Sequence, residues 1–195
     1  QEVTETPEQM GELRRNYASL LSKCDRSLGD VLDVFDEYDM WGDTMLILWT
    51  DHGFLLGEHR AIAKNWMPMY EEVSHTPFFL WDPRSPDSAR ERRSALVQPA
   101  IDLGPTLLGL FGIEPTRNML GHDLSAVCSG EELQVRDAAI FGYFDQHINI
   151  TDGRYVYMRP PLPDAPRAEA YTLIPTAMRG FLTDITEAEL SDPLR

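Results

Sequence analysis

The chain has 195 residues, a length that suits one domain, and its 43% hydrophobic and 10% aromatic content supports a globular body with a sizeable core. Its net charge of −15 argues against nucleic acid as a partner, because phosphate binding needs a basic surface. No apolar run reaches the ~18 residues that span a bilayer, and two cysteines, Cys24 and Cys128, make no disulfide framework.

Residues 1–10 read as an exposed arm without the basic and apolar segments of a signal peptide. Compartment stays open. From Glu12 to Tyr38 the apolar positions Leu13, Tyr17, Leu20, Leu21, Cys24, Leu28, Val31, Leu32 and Phe35 step by three and four. That spacing predicts an amphipathic helix with its stripe against a sheet, Cys24 as a small core hydrophobe and Gly29 as a weak point. The run Met45 to Trp49 predicts a strand within 44–50, buried on both faces as in a parallel sheet. Asp51, His52 and Gly53 stop it and open a long loop to Pro68.

A short helix is expected over Met69 to Val73, a buried strand over Pro77 to Trp81, and a charged surface loop over Arg84 to Arg93. Ser94 to Val97 reads as a short strand. Ile101 to Leu110 reads as a helix with Pro105 inside its pattern and Gly112 at its end. Ala138 to Phe144 and Arg154 to Met158 read as strands joined through His147 to Thr151 and the turn signal Asp152-Gly153. Proline-rich Arg159 to Pro166 is expected to be extended, and 171–195 to wrap the body.

The densest chemical signal is Thr44 to Pro77. Open α/β sheets place ligands at the carboxyl ends of strands, and Asp51 and His52 stand at such an end, with the cation Lys64 twelve residues on. Metal ligands beside a cation suggest chemistry on an anionic ester. Asp51-His52-Gly53, Leu56-Gly57-Glu58-His59, Lys64, Tyr70-Glu71-Glu72 and His75-Thr76-Pro77 resemble, in order and spacing, the second half of a sulfatase of the alkaline phosphatase superfamily. The resemblance continues through 98–108 and Phe111 to Pro115.

It implies an α/β fold: an alkaline phosphatase-like sandwich of a mostly parallel sheet and helices, with a small C-terminal antiparallel sheet. Residues 1–135 would form the C-terminal part of the α/β domain, and 136–195 a small subdomain and tail. Asp51 and His52 would be metal ligands, completed by two aspartates from an N-terminal portion. Ca²⁺ is the expected metal, with Mg²⁺ or Mn²⁺ as alternatives. Lys64 would neutralise sulfate oxygens and the leaving oxygen as charge develops.

His59 is left between substrate contact and bracing of its loop, and Trp66 would shape the pocket for an aryl or sugar group. His75 and His122 read as structural; His147 and Asp145 lie near the second sheet, and Trp41, Trp49 and Trp81 read as packing. The substrate would be a sulfate ester, either a small molecule or a saccharide.

The sulfatase nucleophile is a formylglycine made from a Cys/Ser-x-Pro/Ala-x-Arg motif. Cys24 is followed by Asp25-Arg26-Ser27 and Cys128 by Ser129-Gly130-Glu131, and neither fits. The chain is therefore expected to be the C-terminal part of a sulfatase, inactive alone, with formylglycine in a missing N-terminal portion. Two alternatives stand beside it: a phosphonate or phosphate ester hydrolase of the same superfamily, and a non-catalytic binding or structural remnant.

Overall fold

The computed structural model describes residues 3–64, 67–88, 90–132, 134–143 and 146–164. Two compact units, Gln1–Pro160 and Pro161–Arg195, divide the chain, and the helices and strands among the described residues lie in the first. Expectations for Trp66, Phe144, Asp145 and 171–195 lie outside the described residues.

The first helix, α1 (Pro7–Glu37), begins earlier than its apolar periodicity suggests. The Thr6 hydroxyl accepts from Gln9 N at 3.3 Å and the Gln9 side chain accepts from Thr6 N at 2.8 Å. This reciprocal cap satisfies two otherwise orphaned amides, with Pro7 in the first turn where its missing N–H costs nothing. The expected exposed arm is thus partly helix, and Val3 N donates to Arg60 O at 3.0 Å. Gly29 does not interrupt the helix.

Only Met10 and Phe35 of α1 are buried. Tyr17, Leu20, Leu21, Val31 and Val34 are exposed, and so is Cys24. The placement of Cys24 in a core is therefore corrected. Periodicity reports that one helix face is apolar; it does not report what covers that face.

Strand β1 (Leu46–Trp49) and the later strand over Phe78–Trp81 pair antiparallel, with Leu46 opposite Trp81 and Leu48 opposite Phe79. Every ladder among the described residues is antiparallel. The parallel pairing expected for this apolar run is not found among them. Leu48 and Phe79 are exposed together on one face, so burial on both faces is not met either. Phe35, Trp41 and Trp81 close the base of the ribbon, with ring centroids at 4.8 and 5.4 Å.

Between the two strands the loop folds into β2 (Leu55–Leu56) and β3 (Ile62–Ala63), a small antiparallel hairpin. Then come α2 (Glu71–Ser74) and β4, the strand over Phe78–Trp81. Leu55, Ala61 and Val73 form a buried cluster, against which Met67, Met69, Tyr70 and Tyr143 pack. No strand forms over 94–97.

Helix α3 (Pro99–Leu110) starts with Pro99 in its first turn and carries Pro105 inside, and α4 (Ser125–Ser129) follows. Asp102 of α3 is wholly buried. Its carboxylate accepts from Gln98 N at 2.7 Å, His122 N at 2.9 Å and both terminal nitrogens of Arg136. His122 is held there by its backbone amide, while the residue as a whole is exposed.

The C-terminal sheet is a meander of β5 (Ala139–Gly142), β6 (Ile148–Thr151) and β7 (Val156–Arg159). The segment read as a connector, Ile148 to Thr151, is its middle strand. Asp152-Gly153 makes the β6–β7 turn: the Asp152 carboxylate accepts from Arg154 N and Tyr155 N at 2.9 and 2.7 Å, and Gly153 takes φ +87°.

Candidate active site

Asp51 and His52 leave the end of β1 where the backbone turns toward α2. Gly53 is needed there for space: a Cβ would lie 1.9 Å from Glu72 O, while Gly53 N donates to Val73 O at 2.8 Å. His52 Nδ1 donates to Gly53 O at 2.8 Å. A carbonyl can only accept, so Nδ1 carries a proton, and the ammonium of Lys64 against Nε2 needs the lone pair there.

That lone pair faces Asp51 Oδ2 at 3.2 Å and receives the Lys64 ammonium. Two electron-pair donors so close need a cation between or beside them, and Lys64 supplies one. The carboxylate of Asp51 is largely open to solvent and the ring of His52 only partly so. The geometry therefore brings Asp51, His52 and Lys64 together across the intervening hairpin.

The hairpin turn accounts for the return. Gly57, His59 and Arg60 all take positive φ, and Ala63 takes φ +88° immediately before Lys64. Glu58 secures the turn by accepting from Leu56 N at 2.6 Å. Partial burial acts to raise the Glu58 pKa, but the hydrogen bond from Leu56 and the nearby Arg14 outweigh it and hold the carboxyl below its ordinary range. Arg14 ties the hairpin to α1 through Leu56 O at 3.0 Å.

The ring of His59 stacks on Tyr70 with centroids 3.7 Å apart, and its Nε2 lies 3.1 Å from Glu72. These contacts run across the hairpin to α2. His75 meets Glu71 at 2.9 Å on the exposed side of α2.

Among the described residues no group of three or more His, Cys, Asp or Glu side chains gathers to hold a metal. Asp51 and His52 offer one carboxylate and one imidazole nitrogen. That donor pair fits part of the coordination of a hard or borderline divalent ion and is too small to hold one alone.

Sequence reasoning missed two side chains that reach this loop from the C-terminal sheet. Tyr143, just past β5, donates its hydroxyl to Lys64 O, and Asn149 of β6 donates to Met69 O at 3.3 Å. No local pattern announces contacts between residues 79 and 80 apart in sequence.

Residues 1–113 match the sulfatase family. The chain belongs to that family. Arylsulfatase K of Xenopus laevis is 31% identical over 124 residues, covering 64% of this chain and 22% of that protein. An N-acetylglucosamine-6-O-sulfatase of Bacteroides thetaiotaomicron is 26% identical over 134 residues, covering 67% of this chain and 23% of that protein. The chain thus spans about a fifth of the length of the curated relatives it matches.

Among solved structures, BT4656 in complex with its substrate D-glucosamine-2-N,6-O-disulfate superimposes with a TM-score of 0.59 at 24% identity, covering 69% of this chain and 28% of that one. BT1596, a 2-O GAG sulfatase, gives 0.51 at 24% identity, covering 60% of this chain and 27% of that one. These likenesses show the fold of the sulfatases, which is alkaline phosphatase-like.

The sulfatase-family match includes Asp51, His52 and Lys64 and ends before Tyr143 and Asn149. One string in the sequence, Ser191-Asp192-Pro193-Leu194-Arg195, satisfies the letters of the Ser-x-Pro-x-Arg nucleophile pattern. It falls outside both the matched segment and the described residues, and no role is assigned to it.

Proposed function

We propose that this chain supplies part of the active site of a metal-dependent sulfuric ester hydrolase acting on sulfated saccharides. The observation that carries the reading is the convergence of Asp51, His52 and the Lys64 ammonium at the end of β1. Support for the saccharide side comes from an N-acetylglucosamine-6-O-sulfatase among the relatives and a disulfated glucosamine in a structural neighbour.

In this reading Asp51 and His52 Nε2 are two ligands of a divalent ion, Ca²⁺ by preference, and further ligands and a formylglycine nucleophile come from another part of the enzyme. The ion supplies Lewis-acid polarisation of a sulfate oxygen when bound. Orientation and charge placement fall to the chain's own residues. The Gly53 carbonyl orients the His52 ring by accepting from Nδ1, and the Nε2 lone pair that meets the Lys64 ammonium in this structure would turn to the ion. Lys64 places a positive charge where sulfate oxygens and the departing alcohol oxygen gain negative charge. A cationic centre in a chain of net charge −15 is locally focused, and bulk charge does not oppose it.

The test uses the complete sulfatase polypeptide that contains this chain. Asp51→Ala should remove the divalent ion, read by elemental analysis, together with nearly all turnover of 4-nitrophenyl sulfate. Lys64→Ala should lower kcat by roughly 10²–10³ with the fold intact. Retained metal stoichiometry in Asp51→Ala sinks the ligand assignment. Parallel rates on 4-nitrophenyl phosphate and phenylphosphonate separate sulfate from phosphate and phosphonate chemistry, and no turnover of any ester by the complete polypeptide supports the non-catalytic reading.

A further inference from the structure

The loop that bears Lys64 is anchored from a distance. Lys64 follows Ala63, whose φ of +88° is costly for a residue with a Cβ. Such backbone persists only where its surroundings hold it in place. Two of the contacts that hold this segment come from the C-terminal meander: Tyr143 O–H to Lys64 O, and Asn149 Nδ2 to Met69 O at 3.3 Å.

Neither contact looks like ordinary packing alone. The ring of Tyr143 already packs against Leu55, Ala61 and Val73, and Phe would serve that purpose equally. Burial pushes the Tyr143 hydroxyl above its ordinary pKa, so it stays protonated and able to donate. Asn149 is wholly buried in the middle strand, and its Oδ1 finds no partner among the described residues. A buried amide with an unmet acceptor is a cost that an apolar residue would avoid, and what the amide gains in the described structure is the bond to Met69 O.

We infer that Tyr143 and Asn149 are positioning residues for Lys64: the C-terminal sheet pins the backbone on either side of the loop so that the ammonium is delivered beside His52. Lysine has a flexible stem and loses rotamer freedom when it is placed. Fixing the carbonyl of Lys64 itself fixes the point from which that stem starts. The inference rests on the sulfatase reading of Lys64, and it gives the meander, which lies outside the family-matched residues, a part in the reaction.

The experiment is a double-mutant cycle in the complete metal-loaded sulfatase, with 4-nitrophenyl sulfate as the probe. Tyr143→Phe removes one oxygen and keeps the packing. It should lower kcat by roughly ten- to hundredfold, the scale of a small misplacement of a reacting group, with metal stoichiometry and melting temperature near wild type. In a Lys64→Ala background the same change should have little further effect, because the residue it positions is gone. Asn149→Ser should act in the same direction and speed amide exchange over residues 67–70. An equal loss from Tyr143→Phe in both backgrounds overturns the positioning role, since a merely structural group acts additively. A fully active Tyr143→Phe beside a crippled Lys64→Ala also overturns it while leaving the sulfatase reading intact. An unimpaired Lys64→Ala overturns the reading of the site itself.

Discussion

Removing Arg136 is the sharpest test of how this chain is held together. Its guanidinium grips the wholly buried Asp102 with two nitrogens, one at 2.8 Å from Oδ2, and also donates to Leu96 O. Among the described residues, Arg136→Ala leaves the carboxylate with the Gln98 and His122 amides. Breaking a buried pair by deleting one partner costs about 3–5 kcal/mol, because the other charge stays behind unpaired. Against a total stability of about 5–15 kcal/mol, that is a large share. At roughly 2–4 °C per kcal/mol for a domain of this size, the melting temperature should fall by roughly 6–20 °C.

The assay is urea unfolding at pH 7 followed by circular dichroism. The double change Asp102→Asn with Arg136→Ala should recover part of the loss, since the amide oxygen still accepts from a backbone N–H and no buried charge is left unpaired. A cost below about 1 kcal/mol for Arg136→Ala, the range of an exposed ion pair, would refute the reasoning. Acid pH gives a second readout. Burial works to raise the Asp102 pKa, but the Arg136 hydrogen bonds and the His122 and Gln98 amides outweigh it and hold the carboxyl below its ordinary 3.8. A depressed folded pKa means the stabilisation is complete above that ordinary value and fades as pH falls through the folded one. Arg136→Ala should weaken this acid limb.

Two more outcomes come from local geometry. Gly53→Ala sets a Cβ 1.9 Å from Glu72 O, so the approach of β1 to α2 must open and carry His52 with it; metal loading and melting temperature should both drop, and wild-type values for both would contradict the close approach. Cys24 is exposed while burial pushes the Cys128 thiol up to about 11, so at pH 7.5 iodoacetamide should label Cys24 at least tenfold faster by peptide mass spectrometry, the smaller thiolate fraction outweighing the higher nucleophilicity of a more basic thiol. Equal rates would contradict the half-buried placement of Cys128.

Much of the candidate site is legible in the sequence, because its residues sit in one stretch whose order and spacing carry the sulfatase resemblance. Asp51, His52 and Lys64 are brought together by a hairpin, and Gly57 marks its turn. The start of α1 was equally readable in Thr6-Pro7-Glu8-Gln9, but a periodicity search begins at the first apolar repeat and overlooks a cap made of polar residues. Strand direction was not readable. A short apolar run such as Leu46 to Trp49 carries the same letters whichever way its neighbour runs.

Asn149 is a poor strand former, which weakens the strand signal of Ile148 to Thr151; in the structure its buried amide bonds Met69 O and the segment is a strand. The Arg136 and Tyr143 contacts had no local signature at all. They exist only once the chain has closed long loops.

Helix α1 makes its described contacts toward its two ends. Near the start Met10, Arg14 and Tyr17 meet the hairpin and its approach at Gly57, Leu56 and Phe54, and near the finish Phe35 meets Trp41. Every inserted or deleted residue between those ends would shift them by ~1.5 Å and turn one against the other by about 100°. The length of this helix is therefore constrained. An insertion between Ala18 and Val34 would misalign the hairpin that returns Lys64 to His52.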